Sequence, residues 1–178
     1  RIELIKKMQS MYRQSRKTYD IAKVKSFIKE IGFELTNAQK NATNDIFRDL
    51  KSPLQMNRLL QGDVGSGKTI VAVLAALASV TAGYQVAVMA PTLVLANQHY
   101  QVFNKYLSTL NVRLALLTSE TSSKEKSLIY ENIQHHKVDI VIGTHALIQD
   151  TIDFKNLGFV IIDEQHRFGV DQRKTLRE

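Results

Sequence analysis

The amino-acid sequence predicts an α/β fold: a mostly parallel sheet flanked by helices and preceded by N-terminal helices. Three observations predict it. From Thr36 onward, short apolar runs alternate with stretches of helical periodicity, the pattern of strands joined by crossover helices. A glycine-rich segment, residues 62–69, lies where the first of these runs passes into a long apolar helix. The 178 residues are 44% hydrophobic and 23% charged, which suits one domain with a sizeable core.

The elements follow in chain order. Ile2, Ile5, Met8 and Tyr12 recur at helical spacing, with Lys6, Lys7, Gln9 and Arg13 largely between them, so residues 2–12 are expected to form an amphipathic helix. Ile21, Val24, Phe27 and Ile28 predict a second helix over 21–30, and Gly32 punctuates the chain after it. Thr36 is placed as a helix N-cap, with Gln39 three residues on at capping-box spacing. Ser52-Pro53 marks a break. Strands are expected at 58–61, 86–90, 112–117, 140–143 and 159–162, with helices near 67–81, 93–109 and 122–135. Connections between parallel strands of one sheet are nearly always right-handed.

Charge divides the chain at the same place as pattern. Residues 1–30 carry nine basic and three acidic residues, a net of +6, whereas the remaining 148 carry fifteen and fourteen, a net of +1. We therefore read 1–32 as a basic helical docking segment and 33–178 as the domain proper. A basic end suits a polyanion such as DNA, and equally a solvated helix face. The absence of cysteine excludes disulfides and thiolate metal sites. No apolar run approaches the ~18 residues of a membrane span, and the start has no signal-peptide pattern, so a cytoplasmic location is expected. The sequence opens on Arg1 and closes on Glu178 soon after its last motif, and is expected to be a piece of a longer chain.

Gly62-Asp63-Val64-Gly65-Ser66-Gly67-Lys68-Thr69 matches the P-loop pattern, in which two glycines separated by four residues precede lysine and a hydroxyl residue. Each residue type has a physical task. The glycines let the backbone turn so that its N–H groups point at phosphate oxygens. The helix that follows presents its positive end to the same anion. Lys68 reaches the β- and γ-phosphates of a nucleoside triphosphate, and the Thr69 hydroxyl ligates Mg²⁺. Such a site also needs a carboxylate at the end of a buried strand. Phe159-Val160-Ile161-Ile162 is such a run, and it ends in Asp163-Glu164-Gln165-His166. Asp163 is expected to hold the metal, and Glu164 to accept a proton from an attacking water.

The P-loop with Asp163-Glu164-Gln165-His166 resembles the superfamily 2 helicases, and the resemblance extends along the chain in that family's order. Leu35-Thr36-Asn37-Ala38-Gln39 is similar to the Q-type motif, Ala90-Pro91-Thr92 to motif Ia, and Gly143-Thr144-His145 to motif Ib. The resemblance implies a RecA-like motor lobe driven by ATP. In it Gln39 would read the adenine edge, besides serving as the capping-box residue. Pro91, Thr92, Gly143, Thr144 and His145 would line a nucleic-acid track, and His166 would couple the ATP site to motif III. The stretch 59–69, and Asp163-Glu164-Gln165-His166-Arg167-Phe168-Gly169-Val170 with Gln172-Arg173, resemble the RecG branch-migration helicases most. The related transcription-repair translocase Mfd is the alternative, with Gln165 favouring RecG. Leu93 departs from the RecG pattern, which often has an acidic residue there, so contacts through Pro91 and Thr92 are expected to run through backbone.

The resemblance also implies partners outside these residues: a second RecA-like lobe with an arginine finger, and a wedge domain that grips branched DNA. Motif III would follow the Asp163-Glu164-Gln165-His166 run in the same lobe, and a sheet without its strand would leave an unpaired edge. Two other classes fit the residues less well. A metabolic P-loop kinase or small NTPase would not require Pro91-Thr92, Gly143-Thr144-His145 or the Asp163-to-His166 run, and a non-enzymatic nucleic-acid module would not require the P-loop. His135-His136, at a predicted helix end, is read as a solvated pair, not a metal site.

Overall fold

The computed structural model describes residues 18–53, 67–145, 147 and 152–163. The expected helix at 2–12 and strand at 58–61 lie outside the described residues. The chain divides into two compact units, Arg1–Ala82 and Gly83–Glu178.

In the first unit, α1 spans Ile21–Glu30 and α2 spans Asn37–Lys51. The Asp20 side chain caps α1 by accepting from the Lys23 N–H, and Val24 and Phe27 supply its buried stripe. The capping box expected at α2 is present: Gln39 N–H donates to Thr36 Oγ1 at 3.2 Å, and Thr36 N–H donates to Gln39 Oε1 at 2.8 Å. The Tyr19 and Phe47 rings meet at 4.8 Å between centroids, tilted by 51°. The third helix, α3, spans Lys68–Thr81, and α1 and α2 both pack on it. Between Ile70 and Val80 it carries no charged or amide side chain, and its residues from Ile70 to Ser79 are almost all buried. A helix apolar on every side belongs in a core. Its one polar residue there, Ser79, donates to the carbonyl of Ala75.

The second unit holds a four-stranded sheet built from β1 (Gln85–Met89), β2 (Leu114–Leu117), β3 (Ile140–Gly143) and β4 (Leu157–Ile162). The order is β2-β3-β1-β4, and every pairing is parallel. The two central strands, β1 and β3, are buried along their whole length. Their sequences, Gln85 to Met89 and Ile140 to Gly143, are near-continuous apolar runs, as strands covered on both faces require. Helix α4 (Leu93–Leu107), closed by a 3-10 turn at Ser108–Leu110, lies against β2 and β3, and α5 (Ser123–Gln134) lies against β2. Ala87 and Met89, Val141, Leu117, Val160 and Ile162 fall on one sheet face by period two and pack with Ile129, Tyr130 and Ile133 of α5. Phe103 and Leu107 of α4 are fully buried, each worth about 1.5–3 kcal/mol of apolar burial.

Boundaries shift from the expected ones for local reasons. Helix 67–81 begins one residue later because Gly67 is its N-cap. The strand in the run 112–117 starts at Leu114: the Arg113 N–H and guanidinium turn to the Asp139 side chain at 2.8–3.1 Å, while the Arg113 carbonyl accepts from the Asp139 and Ile140 N–H groups. The side-chain hydrogen bond to Asp139 holds Arg113 above its ordinary pKa. The strand expected at 86–90 starts at Gln85, a buried amide. Gln85 Nε2 donates to the carbonyls of Ile133 and Val138, both at 2.9 Å, and its Oε1 accepts from the Asn156 N–H. At α5 the capping-box bonds from Ser122 hold the exposed Glu125 carboxyl below the usual carboxylate range.

Candidate functional site

In the first unit the end of the P-loop is visible. Gly67 stands at φ 78°, in the left-handed region, and a Cβ there would collide with the Gln39 amide nitrogen. Position 67 therefore needs glycine for conformation and for space. Gln39 Nε2 donates to the Gly67 carbonyl at 3.3 Å, so the amide braces the loop as well as capping α2. Each of these bonds uses one lone pair or one N–H of the amide, which has two of each. Among the described residues no side chain caps α3, and its first turn holds no acidic residue. The leading N–H groups of that helix have no acceptor within it, and they form a positive end suited to an anion. Lys68 is exposed and Thr69 half-buried at this end. Gly62, Asp63, Val64, Gly65 and Ser66 lie outside the described residues.

In the second unit, register builds the site. Leu117 pairs with Gly143, Gly143 with Met89, and Met89 with Ile162, so all four strands end level. The residues just past those ends form a row: Thr118, Thr144, Ala90 and Asp163. The Ala90 N–H donates to the Gly143 carbonyl and the Asp163 N–H to the Met89 carbonyl, each at 2.9 Å, which extends the ladder into this row. Open α/β sheets place their ligands beyond the carboxyl ends of strands. Pro91, Thr92, Gly143, Thr144, His145 and Asp163 thus converge on one edge. Thr92 also caps α4, accepting from the Leu95 N–H at 3.3 Å.

The side chains in this row differ in reach. His145 is exposed, whereas Thr144 is buried and its Oγ1 has no hydrogen-bond partner among the described residues. A Cβ at Gly143 would fall on the Leu117 carbonyl oxygen, so β2 and β3 approach closely only because this residue is glycine. Glu164, Gln165 and His166 lie outside the described residues. His135 Nδ1 lies 2.9 Å from the Glu131 carbonyl, and no group of three or more candidate metal-ligating side chains gathers among the described residues.

One contact was not foreseen. His99 Nε2, on α4, lies 2.7 Å from Asp163 Oδ2. Nothing in the sequence marks it, because the partners are 64 residues apart and meet only through the sheet. A cleft of about 340 Å³ between α1 and α2, lined by Tyr19, Val24, Leu35, Lys40, Thr43 and Phe47, includes none of Gln39, Gly67, Lys68 and Thr69.

Over residues 36–178 the chain matches the family model of the DEAD/DEAH box helicases. The chain belongs to the DEAD/DEAH box helicase family. Within this family it is similar to the ATP-dependent DNA helicase RecG of Staphylococcus epidermidis, with 56% identity over 161 residues, 90% of this chain and 23% of the relative. It is similar to that of Aquifex aeolicus at 55% over 151 residues, 85% of this chain and 19% of the relative. The solved structure of RecG bound to a three-way DNA junction superposes with a TM-score of 0.88 at 48% identity, covering 94% of this chain and 23% of that one. A hypothetical ATP-dependent RNA helicase from Sulfolobus tokodaii shares the fold, with a TM-score of 0.65 at 21% identity over 87% of this chain and 46% of that one. The chain therefore spans about a quarter or less of the curated relatives it matches. The Mfd alternative finds no support among these relatives. No described helix of this helicase-family chain is long and apolar enough to cross a membrane.

Proposed function

We propose that this chain is the first motor lobe of a RecG-type ATP-dependent DNA helicase, a cytoplasmic enzyme that remodels forks and junctions in recombination and repair. Residues 33–178 are the ATP-binding lobe, and residues 1–32 dock it to neighbouring parts of the protein. A second RecA-like lobe and a wedge domain complete the machine. The observation that supports this most is the level row at the sheet edge, where motif Ia, motif Ib and Asp163 stand side by side. DNA contact and nucleotide chemistry then share the ends of adjacent strands.

In this reading the P-loop amides from Gly62 through Gly67 and the Lys68 ammonium hold the phosphates of ATP. Gln39 spends its remaining donor and acceptor on the adenine edge. Glu164 accepts the proton of the attacking water, and His166 transmits the state of the site. Thr69 and Asp163 are the metal-holding residues. Their donors are hydroxyl and carboxylate oxygens, which suit a hard cation, and the Asp163 side chain is 33% exposed at a strand end, open to solvent. Mg²⁺, when bound, supplies charge neutralisation at the β- and γ-phosphates. Pro91 and Thr92 meet DNA largely through backbone, and exposed His145 through its ring. Gly143 and buried Thr144 shape the turn that presents it.

The test is the ATPase rate of the full-length protein with linear duplex and with forked DNA of equal length. Preference for the fork is expected. Equal stimulation would replace the branched-DNA reading with a general duplex translocase, and no stimulation by either would remove the DNA motor.

A further inference from the structure

We infer that His99 is a positioning residue, which aims the Asp163 carboxylate at the divalent cation. The inference rests on the assignment of Asp163 as a metal-holding residue made above.

The backbone of Asp163 is already pinned, since its N–H donates to the Met89 carbonyl at 2.9 Å and so adds a rung to the β1–β4 pairing. Its side chain still has two torsions to settle. His99 Nε2 lies 2.7 Å from Oδ2, at the short end of bonds between nitrogen and a carboxylate. An ionised carboxylate only accepts, so Nε2 carries the proton and donates. One carboxylate oxygen is thereby held from a fixed direction.

That direction is fixed because α4 is fixed. The helix leaves the carboxyl end of β1, is capped by Thr92, and is anchored by Ala96 and Phe103, both fully buried. His99 lies three residues after the first anchor and four before the second, which is the spacing of one helix face. It therefore belongs to the packed stripe, where an apolar residue would be the default, and its side chain is only 19% exposed. A polar ring is kept on such a face at a desolvation cost, and its hydrogen bond to Asp163 offsets that cost. Ligating carboxylates elsewhere are oriented in this way by hydrogen-bonding neighbours, whose loss typically weakens metal affinity about 10- to 100-fold.

A tie that merely joins α4 to β4 would matter for folding and not for the metal. Full-length protein with His99→Leu, His99→Gln and Asp163→Asn separates the two. His99→Leu fills the packed stripe without a donor, and His99→Gln returns an N–H donor. The measurement is Mn²⁺ affinity of the ADP-loaded protein by electron paramagnetic resonance, beside metal-free affinity for ADP and melting temperature. The expected result for His99→Leu is Mn²⁺ affinity lowered about tenfold or more with metal-free ADP affinity unchanged. His99→Gln is expected to recover most of the loss. Unaltered Mn²⁺ affinity in His99→Leu, with Asp163→Asn impaired, overturns the role of His99 and leaves Asp163 in place. The same holds if His99→Leu lowers metal-free ADP affinity and Mn²⁺ affinity in equal proportion, a general loosening of the fold. Unaltered Mn²⁺ affinity in Asp163→Asn overturns the metal assignment beneath.

Discussion

Residue types do specific physical work at this site. Lys68 stands exposed at a helix start that no described side chain caps, where its ammonium and the helix's own N–H groups sum to a concentrated positive field. Lys68→Ala is expected to weaken ATP binding by at least about tenfold, read by nucleotide titration of the full-length protein. Glu164 is proposed for a different step. Glu164→Gln keeps the shape and removes the proton acceptor, so ATP binding is expected to persist while turnover falls about 100-fold or more. Retained turnover would take Glu164 out of the base role. Gln39 illustrates a residue with two duties: its amide caps α2 and reaches the Gly67 carbonyl, and neither bond exhausts its capacity.

At the scale of elements, the second unit depends on how strands and helices are tied at their starts as well as at their ends. Gln85 opens central strand β1 and binds the α5–β3 connection and the start of β4 through one buried amide. Gln85→Leu would fill similar volume yet deprive the Val138 carbonyl and the Asn156 N–H of that partner, while the Ile133 carbonyl keeps the His136 N–H at 3.2 Å. Such groups cost about 1–3 kcal/mol each when they stay dry, so a loss of about 3 kcal/mol is expected, or a melting temperature lower by roughly 6–12 °C. A change under about 1 kcal/mol would show that water replaces the amide. The helices themselves were legible beforehand. Capping at Thr36, and the apolar patterns of 21–30 and 67–81, are local properties that a linear reading captures, whereas the capping box at Ser122 was seen only in the structure. Strand ends were less legible, because pairing is decided by partners: the Arg113 N–H turns to the Asp139 side chain, far along the chain, while its carbonyl still accepts from the Ile140 N–H.

At the scale of the whole molecule, the chain covers only 23% of its Staphylococcus epidermidis relative. In the two-lobed motor proposed here, ATP is hydrolysed between lobes, and the second supplies an arginine finger worth about 10³–10⁵ in rate where it has been measured. Residues 1–178 expressed by themselves are therefore expected to bind nucleotide and hydrolyse it poorly, with little response to DNA. A brisk, DNA-stimulated rate from this segment would show that the lobe carries its own catalytic complement.

What the sequence determined by itself was the set of local chemistries. The P-loop, the carboxylate run at 163–164 and the alternation of strand with helix are each written within a few neighbouring residues. Hydrophobic period and glycine placement obey short-range rules, so they can be read before folding. The level row at the sheet edge and the bond from His99 to Asp163 were decided by tertiary structure alone. Parallel register has no local signal: it is set when helices crossing between strands find one way to bury their apolar faces. Residues tens of positions apart become neighbours at that step, and the orientation of the carboxylate at the end of β4 depends on it.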